Sequence, residues 1–104
     1  MEANLPLMAK TFKSLADANR LKILYSLKEG RRSVSRIAEE TQLSQPLVSH
    51  HLKILKESFL INTDRQGAFV YYQLPNKKII SYIDNIGNML SGNINNSYLR
   101  TGEE

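Results

Sequence analysis

Gln45, Ser49, His50 and Lys53 recur within SQPLVSHHLKILKE, residues 44–57, at steps that place them along one side of a helix, with Pro46 and Glu57 on the same arc. At about 100° per residue, Val48, Leu52 and Leu55 fall within about 60° of one another on the other side, bordered by Leu47, His51 and Phe59. The apolar side is ordinary packing material, whereas the polar side has the chemistry of a major-groove reader. Gln forms paired hydrogen bonds to adenine, Ser bonds base edges or phosphate, Lys contacts guanine or phosphate, and Pro offers apolar surface to a thymine methyl. Ser44 is a good N-cap, and the free N–H groups and partial positive charge at the helix start suit a phosphate. The alternative for such an arc is a plainly solvated face, and the elements on either side decide between the two.

Those elements are legible from periodicity. Leu5, Met8, Phe12 and Leu15 step by threes and fours, with Pro6 in a first turn. Asp17 can cap a second helix through Leu21, Ile23, Leu24 and Leu27 that stops at Gly30. Ser33 or Val34 opens a short third helix that ends near Thr41, with Val34, Ile37 and Ala38 inward, and the bend Thr41–Gln42–Leu43 leads into residues 44–57. The period then changes: FLINTDRQGAFVYYQL reads as strands over 60–64 and 68–74, separated by Arg65, Gln66 and Gly67. After Pro75, Ile79, Ile80, Ile83, Ile86 and Leu90 form a helical stripe with Met89 beside it, and SGNINNSYLRTGEE reads as frayed or weakly helical. The expected fold is mainly α with a β-hairpin wing, in the order α-α-α-α-β-β-α: a winged helix-turn-helix occupying residues 1–104 as one domain.

The flanking elements turn the polar arc into a candidate site. Ser44, Gln45, Pro46, Ser49, His50 and Lys53 are the expected DNA-reading residues. Arg65 and Gln66 in the wing would lie along the DNA backbone or in the minor groove, with Lys56, Arg31, Arg32 and Arg36 as candidate phosphate contacts that add affinity without choosing sequence.

The bulk composition agrees. The chain has 104 residues and a formal charge of +4. Residues 1–78 carry 13 basic and 7 acidic groups, against 1 basic and 3 acidic in 79–104, so the excess positive charge belongs to the front three-quarters and favours an anionic partner there. The absence of cysteine excludes disulfides, thiolate metal sites and Cys nucleophiles. No signal peptide and no bilayer-length apolar run is visible, so the expected setting is the cytoplasm, without a membrane partner. An enzyme finds no footing: the five glycines are scattered, no Gly-x-Ser-x-Gly occurs, and neighbouring Glu39 and Glu40 point different ways on a helix.

LADANRLKILYSLKEG, then IAEETQLSQPLVSHHLKILKE, then INTDRQGAFVYYQL resembles the ArsR/SmtB family of bacterial and archaeal repressors over roughly residues 8–90. The most specific matches are Leu15, Ala16 and Asp17 with Arg20; Leu43, Ser44 and Gln45; Ser49, His51, Leu52 and Leu55; and Gly67 with Tyr71 and Tyr72. Ala18 stands where many relatives carry proline. The resemblance implies a homodimer whose first and last helices form the interface while two recognition helices enter successive major grooves. The resemblance puts Leu5, Met8 and Phe12 of the first helix in that interface, and the stripe Ile79, Ile83, Ile86 and Leu90 supports it independently, because it exceeds what one small core needs. Packing of that stripe on its own first helix is the alternative, and both can hold. A dimer of this kind binds an inverted-repeat operator in double-stranded DNA.

No cofactor is expected, and neither of the resemblance's metal sites is. Ser33 and Ser35 occupy the positions most plausibly matching the third-helix cysteines of metal-sensing relatives and are poor ligands for soft metals. On the last helix only Asp84 is available, and no histidine follows His51. His50 and His51 diverge by about 100°, too far to share an ion easily; His51 reads as a packing residue and His50 as a candidate DNA contact. The inducer is left unknown. Two alternatives stay open: a winged-helix module that binds protein, and a metal sensor with an unrecognised site.

Overall fold

The computed structural model describes residues 4–101, with side chains placed for residues 4–92. Helix α1 spans Leu5–Leu15, α2 Ala18–Ser26, α3 Val34–Thr41 and α4 Gln45–Glu57; strands β1 (Asn62–Gln66) and β2 (Phe69–Gln73) form an antiparallel hairpin, and α5 runs Lys78–Thr101. The order is the expected one.

Each early helix opens on a side-chain cap that satisfies a backbone N–H no intrahelical carbonyl can reach. Asn4 accepts from Leu7 N at 3.1 Å, Asp17 from Asn19 N at 2.8 Å and Arg20 N at 3.1 Å, Ser33 from Arg36 N at 3.2 Å, and Ser44 from Leu47 N at 3.3 Å. Pro6 and Pro46 sit in first turns, where their missing N–H costs nothing. Between α3 and α4, Gln42 takes a left-handed φ of 60°, which makes the sharp bend of the helix-turn-helix.

Four boundaries differ from expectation. Helix α2 ends at Ser26, one turn before Gly30. The Ser26 hydroxyl donates to Ile23 O at 2.6 Å and Leu27 N to Leu24 O at 3.1 Å, so the last turn tightens into i→i+3 bonding and Gly30, at φ 147°, closes the following turn instead. Strand β1 starts at Asn62, not residue 60, because Leu60 and Ile61 are buried in the core and belong to the linker that docks the hairpin. The turn itself is Gly67–Ala68, with Gln66 paired to Phe69, so Arg65 and Gln66 lie within β1. Within this turn only Gly67, the first of the two loop residues, has a positive φ, as the type II′ hairpin that matches strand twist demands. Finally, the tail, expected to be frayed or weakly helical, continues α5 through Thr101; residues 102–104 of it lie outside the described residues.

The core gathers Ile23, Leu24 and Leu27 of α2, Ile37 and Ala38 of α3, and Val48, Leu52 and Leu55 of α4, closed by Leu60, Ile61, Leu74 and Ile80. Full burial of one such Leu or Ile contributes roughly 1.5–3 kcal/mol. Phe59 departs from its expected place beside this face and is 76% exposed. The helix has already ended, and Phe59 adopts a φ of 62° that turns it away from the α4 stripe.

Candidate nucleic-acid interface

The two sides of α4 separate as its spacing requires. Val48 and Leu55 are fully buried and Leu52 nearly so, while Gln45, Pro46, Ser49, His50, Lys53 and Lys56 are all exposed. From Ser44 to Lys56 the helix bears no acidic residue, and Glu57 closes it at the far end. Its N-terminal dipole and its lysines therefore act in the same direction toward an anion. Ser44 is already engaged as the cap through one lone pair, which leaves its hydroxyl proton to donate to a phosphate.

Behind the exposed arc of α4, His51 is buried and its Nδ1 lies 3.3 Å from Arg20 Nη1. A guanidinium only donates, so Nδ1 accepts and the ring proton is assigned to Nε2. Burial holds the His51 pKa below its usual value; Asp17 opposes this, and Arg20 and His50 reinforce it. Arg20 also donates from Nε to Ser14 O at 2.6 Å and from Nη2 to Lys13 O at 3.4 Å, and the Ser14 and Ser58 hydroxyls hydrogen-bond each other. The C-terminal end of α1 is thus tied to α2 through Arg20 and to the C-cap of α4 through Ser58, with His51 of α4 joined to the same guanidinium. Spacing alone gave Arg20 no role. The signal available was a long cation one turn inside a helix capped by Asp17.

The arginines outside α4 divide. Arg65 is exposed in β1 opposite Val70. Arg32 lies 3.4 Å from Glu40, and Arg36 lies 2.8 Å from Glu40 and 3.4 Å from Glu39; the hydrogen bond from Arg36 is the main cause holding the Glu40 carboxyl below its usual pKa, with Arg32 adding to it. Arg31 pairs with Asp64 and stacks 4.6 Å from the centroid of the Tyr71 ring. Gln66 donates to the other Asp64 oxygen at 3.0 Å, and the two bonds lower that carboxyl's pKa, Gln66 first and Arg31 second. Arg31, Arg32 and Arg36 are therefore engaged within the chain, whereas exposed Gln66 spends one N–H and keeps its amide oxygen and second N–H.

The expected interface residues also divide. Ile79 and Ile83 pack half-buried against their own core, whereas Leu5, Met8, Phe12, Ile86 and Leu90 are exposed, Leu5 at 69% and Leu90 at 52%. Phe12, Leu15, Leu21, Ile83, Ile86 and Leu90 line an apolar groove of about 470 Å³ between α1, α2 and α5.

Among the described residues no group of three or more His, Cys, Asp or Glu could hold a metal ion. Ser33 is spent on its cap, and Asp84 accepts from the Tyr25 hydroxyl. The His50 and His51 rings stand 5.4 Å apart, one exposed and one buried. Among the same residues no helix is long and apolar enough to cross a membrane.

Residues 17–63 match the family described as bacterial regulatory protein, arsR family. The chain is 45% identical over 67 residues to the transcriptional repressor SdpR of Bacillus subtilis, covering 64% of this chain and 74% of that protein. It is 37% identical over 73 residues to the HTH-type transcriptional regulator KmtR of Mycobacterium tuberculosis, covering 70% of this chain and 56% of KmtR, little more than half that relative's length. Its fold is similar to that of the homodimeric winged helix-turn-helix DNA-binding domain of Mb0332 from Mycobacterium bovis, with a TM-score of 0.75, 26% identity, and 84% of this chain and 88% of that one covered. With the capped helix-turn-helix, the wing and these likenesses in hand, the chain belongs to the arsR family of bacterial regulatory proteins.

Proposed function

We propose that the chain is a cytoplasmic transcriptional repressor that binds an inverted-repeat operator in double-stranded DNA as a homodimer, the whole of residues 1–104 forming one winged helix-turn-helix domain. Gln45, Ser49 and His50 read base edges, Pro46 meets a thymine methyl, and Ser44, Lys53 and Lys56 hold phosphates or guanine. Arg65 and Gln66 bring the wing to the DNA backbone or minor groove. The observation that carries the reading is the exposed arc of α4, without an acidic residue from Ser44 to Lys56 and backed by a buried apolar stripe. SdpR is a transcriptional repressor and the Mb0332 domain is homodimeric and DNA-binding, which supports the same assignment here.

Dimerisation buries Leu5, Met8, Phe12, Ile86 and Leu90 against their copies, while Ile79 and Ile83 serve mainly the protomer's own core and reach the interface at its margin. The two α4 helices of such a dimer enter major grooves about one helical turn apart. The repressor responds to an inducer other than a soft metal, or to none, since the positions most plausibly matching the thiolate ligands of metal-sensing relatives carry serine.

The test is selection of bound duplexes from a random pool by the purified protein, run beside sedimentation. Recovery of a two-fold symmetric site by a dimer is the expected result. A protein that stays monomeric overturns the dimeric reading, and one whose duplex affinity is negligible, or unchanged after its 45–53 arc is replaced, is instead a protein-binding winged helix.

A further inference from the structure

The wing meets the helical body through residues 31 and 32. Arg32 and Tyr72 exchange backbone hydrogen bonds, Arg32 N to Tyr72 O at 3.0 Å and Tyr72 N to Arg32 O at 2.8 Å. Tyr72 faces Thr63 of β1 across the hairpin ladder, so β2 runs between β1 and the Arg32 segment. From that outer segment the Arg31 side chain crosses β2. Its guanidinium stacks on Tyr71 and donates to Asp64, the cross-strand partner of Tyr71. Arg31 thereby spans all three backbone segments on one face. Arg65 alternates onto the opposite face with Thr63 and Tyr72, and Tyr72 packs on the core.

We propose that Arg31 is a positioning residue for the wing and not a phosphate ligand: clamped between Tyr71 and Asp64, it fixes the angle of the hairpin to the helix-turn-helix and so sets where Arg65 meets DNA. This rests on the DNA-binding reading above. Transfer of Arg31 to a phosphate would break both the stack and the ion pair, and would leave the Asp64 carboxylate facing a polyanion. A planar guanidinium satisfies the ring and the carboxylate together, which a lysine ammonium does not, whereas a simple phosphate contact needs only a positive charge.

The experiment takes a duplex selected from a random pool by the wild-type protein and measures Kd between 50 and 200 mM salt for Arg31→Ala, Arg31→Lys, Asp64→Ala, Arg65→Ala and the double variant R31A/R65A. Arg31→Ala and Arg31→Lys each weaken binding about fivefold, and Asp64→Ala does so too although it removes an acid from beside DNA. Arg65→Ala flattens the log–log salt slope by about 1.8, one phosphate in each protomer of the dimer, Arg31→Ala does the same, and the double variant flattens it no further. Melting temperatures move by only a few degrees, because an exposed pair contributes little to stability. Full activity of Arg31→Lys, tighter binding by Asp64→Ala, or a double variant that loses two phosphates per protomer overturns the clamp while leaving the DNA reading standing. A wild-type protein that retains no duplex overturns both.

Discussion

Arg20 Nη1 and His51 Nδ1 lie 3.3 Å apart, so a cation on α2 holds a buried ring on the hidden side of the recognition helix. The same guanidinium reaches two carbonyls at the end of α1. Terminal helix and reading helix are joined by one side chain. Arg20→Ala leaves these acceptors short of a donor and is expected to cost about 1–3 kcal/mol of unfolding free energy, measured by denaturant titration. An unchanged midpoint would show that water replaces the guanidinium fully.

His51 also makes stability depend on pH. Its folded-state pKa lies below the reference value of 6.5, chiefly through burial, so the unfolded chain binds more protons. Stability is then fully present above pH 6.5 and is lost as the pH falls through the lowered folded-state value. The carboxyls of Asp17, Glu40 and Asp64 are shifted down from 3.8, 4.5 and 3.8, so their losses fall at lower pH. His51→Gln should therefore flatten the stability profile where it begins to fall, just below pH 6.5, and leave the carboxylate-driven acid limb in place.

On the reading face, Gln45→Ala or Ser49→Ala should relax base preference and cost roughly 1–3 kcal/mol on the selected site where a paired contact is lost. Lys53→Ala should weaken selected and random duplexes more nearly alike. Kd values on both duplexes separate the two patterns, and equal losses from all three variants would mean that the base-reading residues are misassigned.

The phosphate contacts of a dimer govern its response to salt. Six to ten of them give a log–log slope of about −5 to −9, so affinity should collapse between 50 and 200 mM salt. A slope near zero would point to a protein partner.

Ile86 and Leu90 are exposed in the protomer, and a charge there costs the isolated fold little. Ile86→Asp with Leu90→Lys should give a folded monomer by sedimentation, with a far weaker grip on an inverted repeat but residual affinity for a half-site. Core truncation behaves in the opposite way: Leu52→Ala should cost about 2–5 kcal/mol of unfolding free energy without changing the subunit count of the folded fraction.

Much of this was readable from residue spacing because the determinants are local. A cap bonds N–H groups two or three residues ahead, and an amphipathic stripe repeats every three or four, so Asp17, Ser33, Ser44 and the Val48–Leu52–Leu55 stripe announce themselves. Glycines misled where their left-handed freedom served a different purpose: Gly30 closes a turn beyond α2, and Gly67 opens a two-residue loop that draws Arg65 and Gln66 into the strand. What only the tertiary structure decided is which cations are free. Arg31 meets Asp64, and Arg20 meets His51, across separations of 33 and 31 residues. No sequence period encodes such a meeting; it follows from the docking of the hairpin and of α2 on the body. The chain's own order set the faces, and the packing of those faces chose which charges remain for DNA.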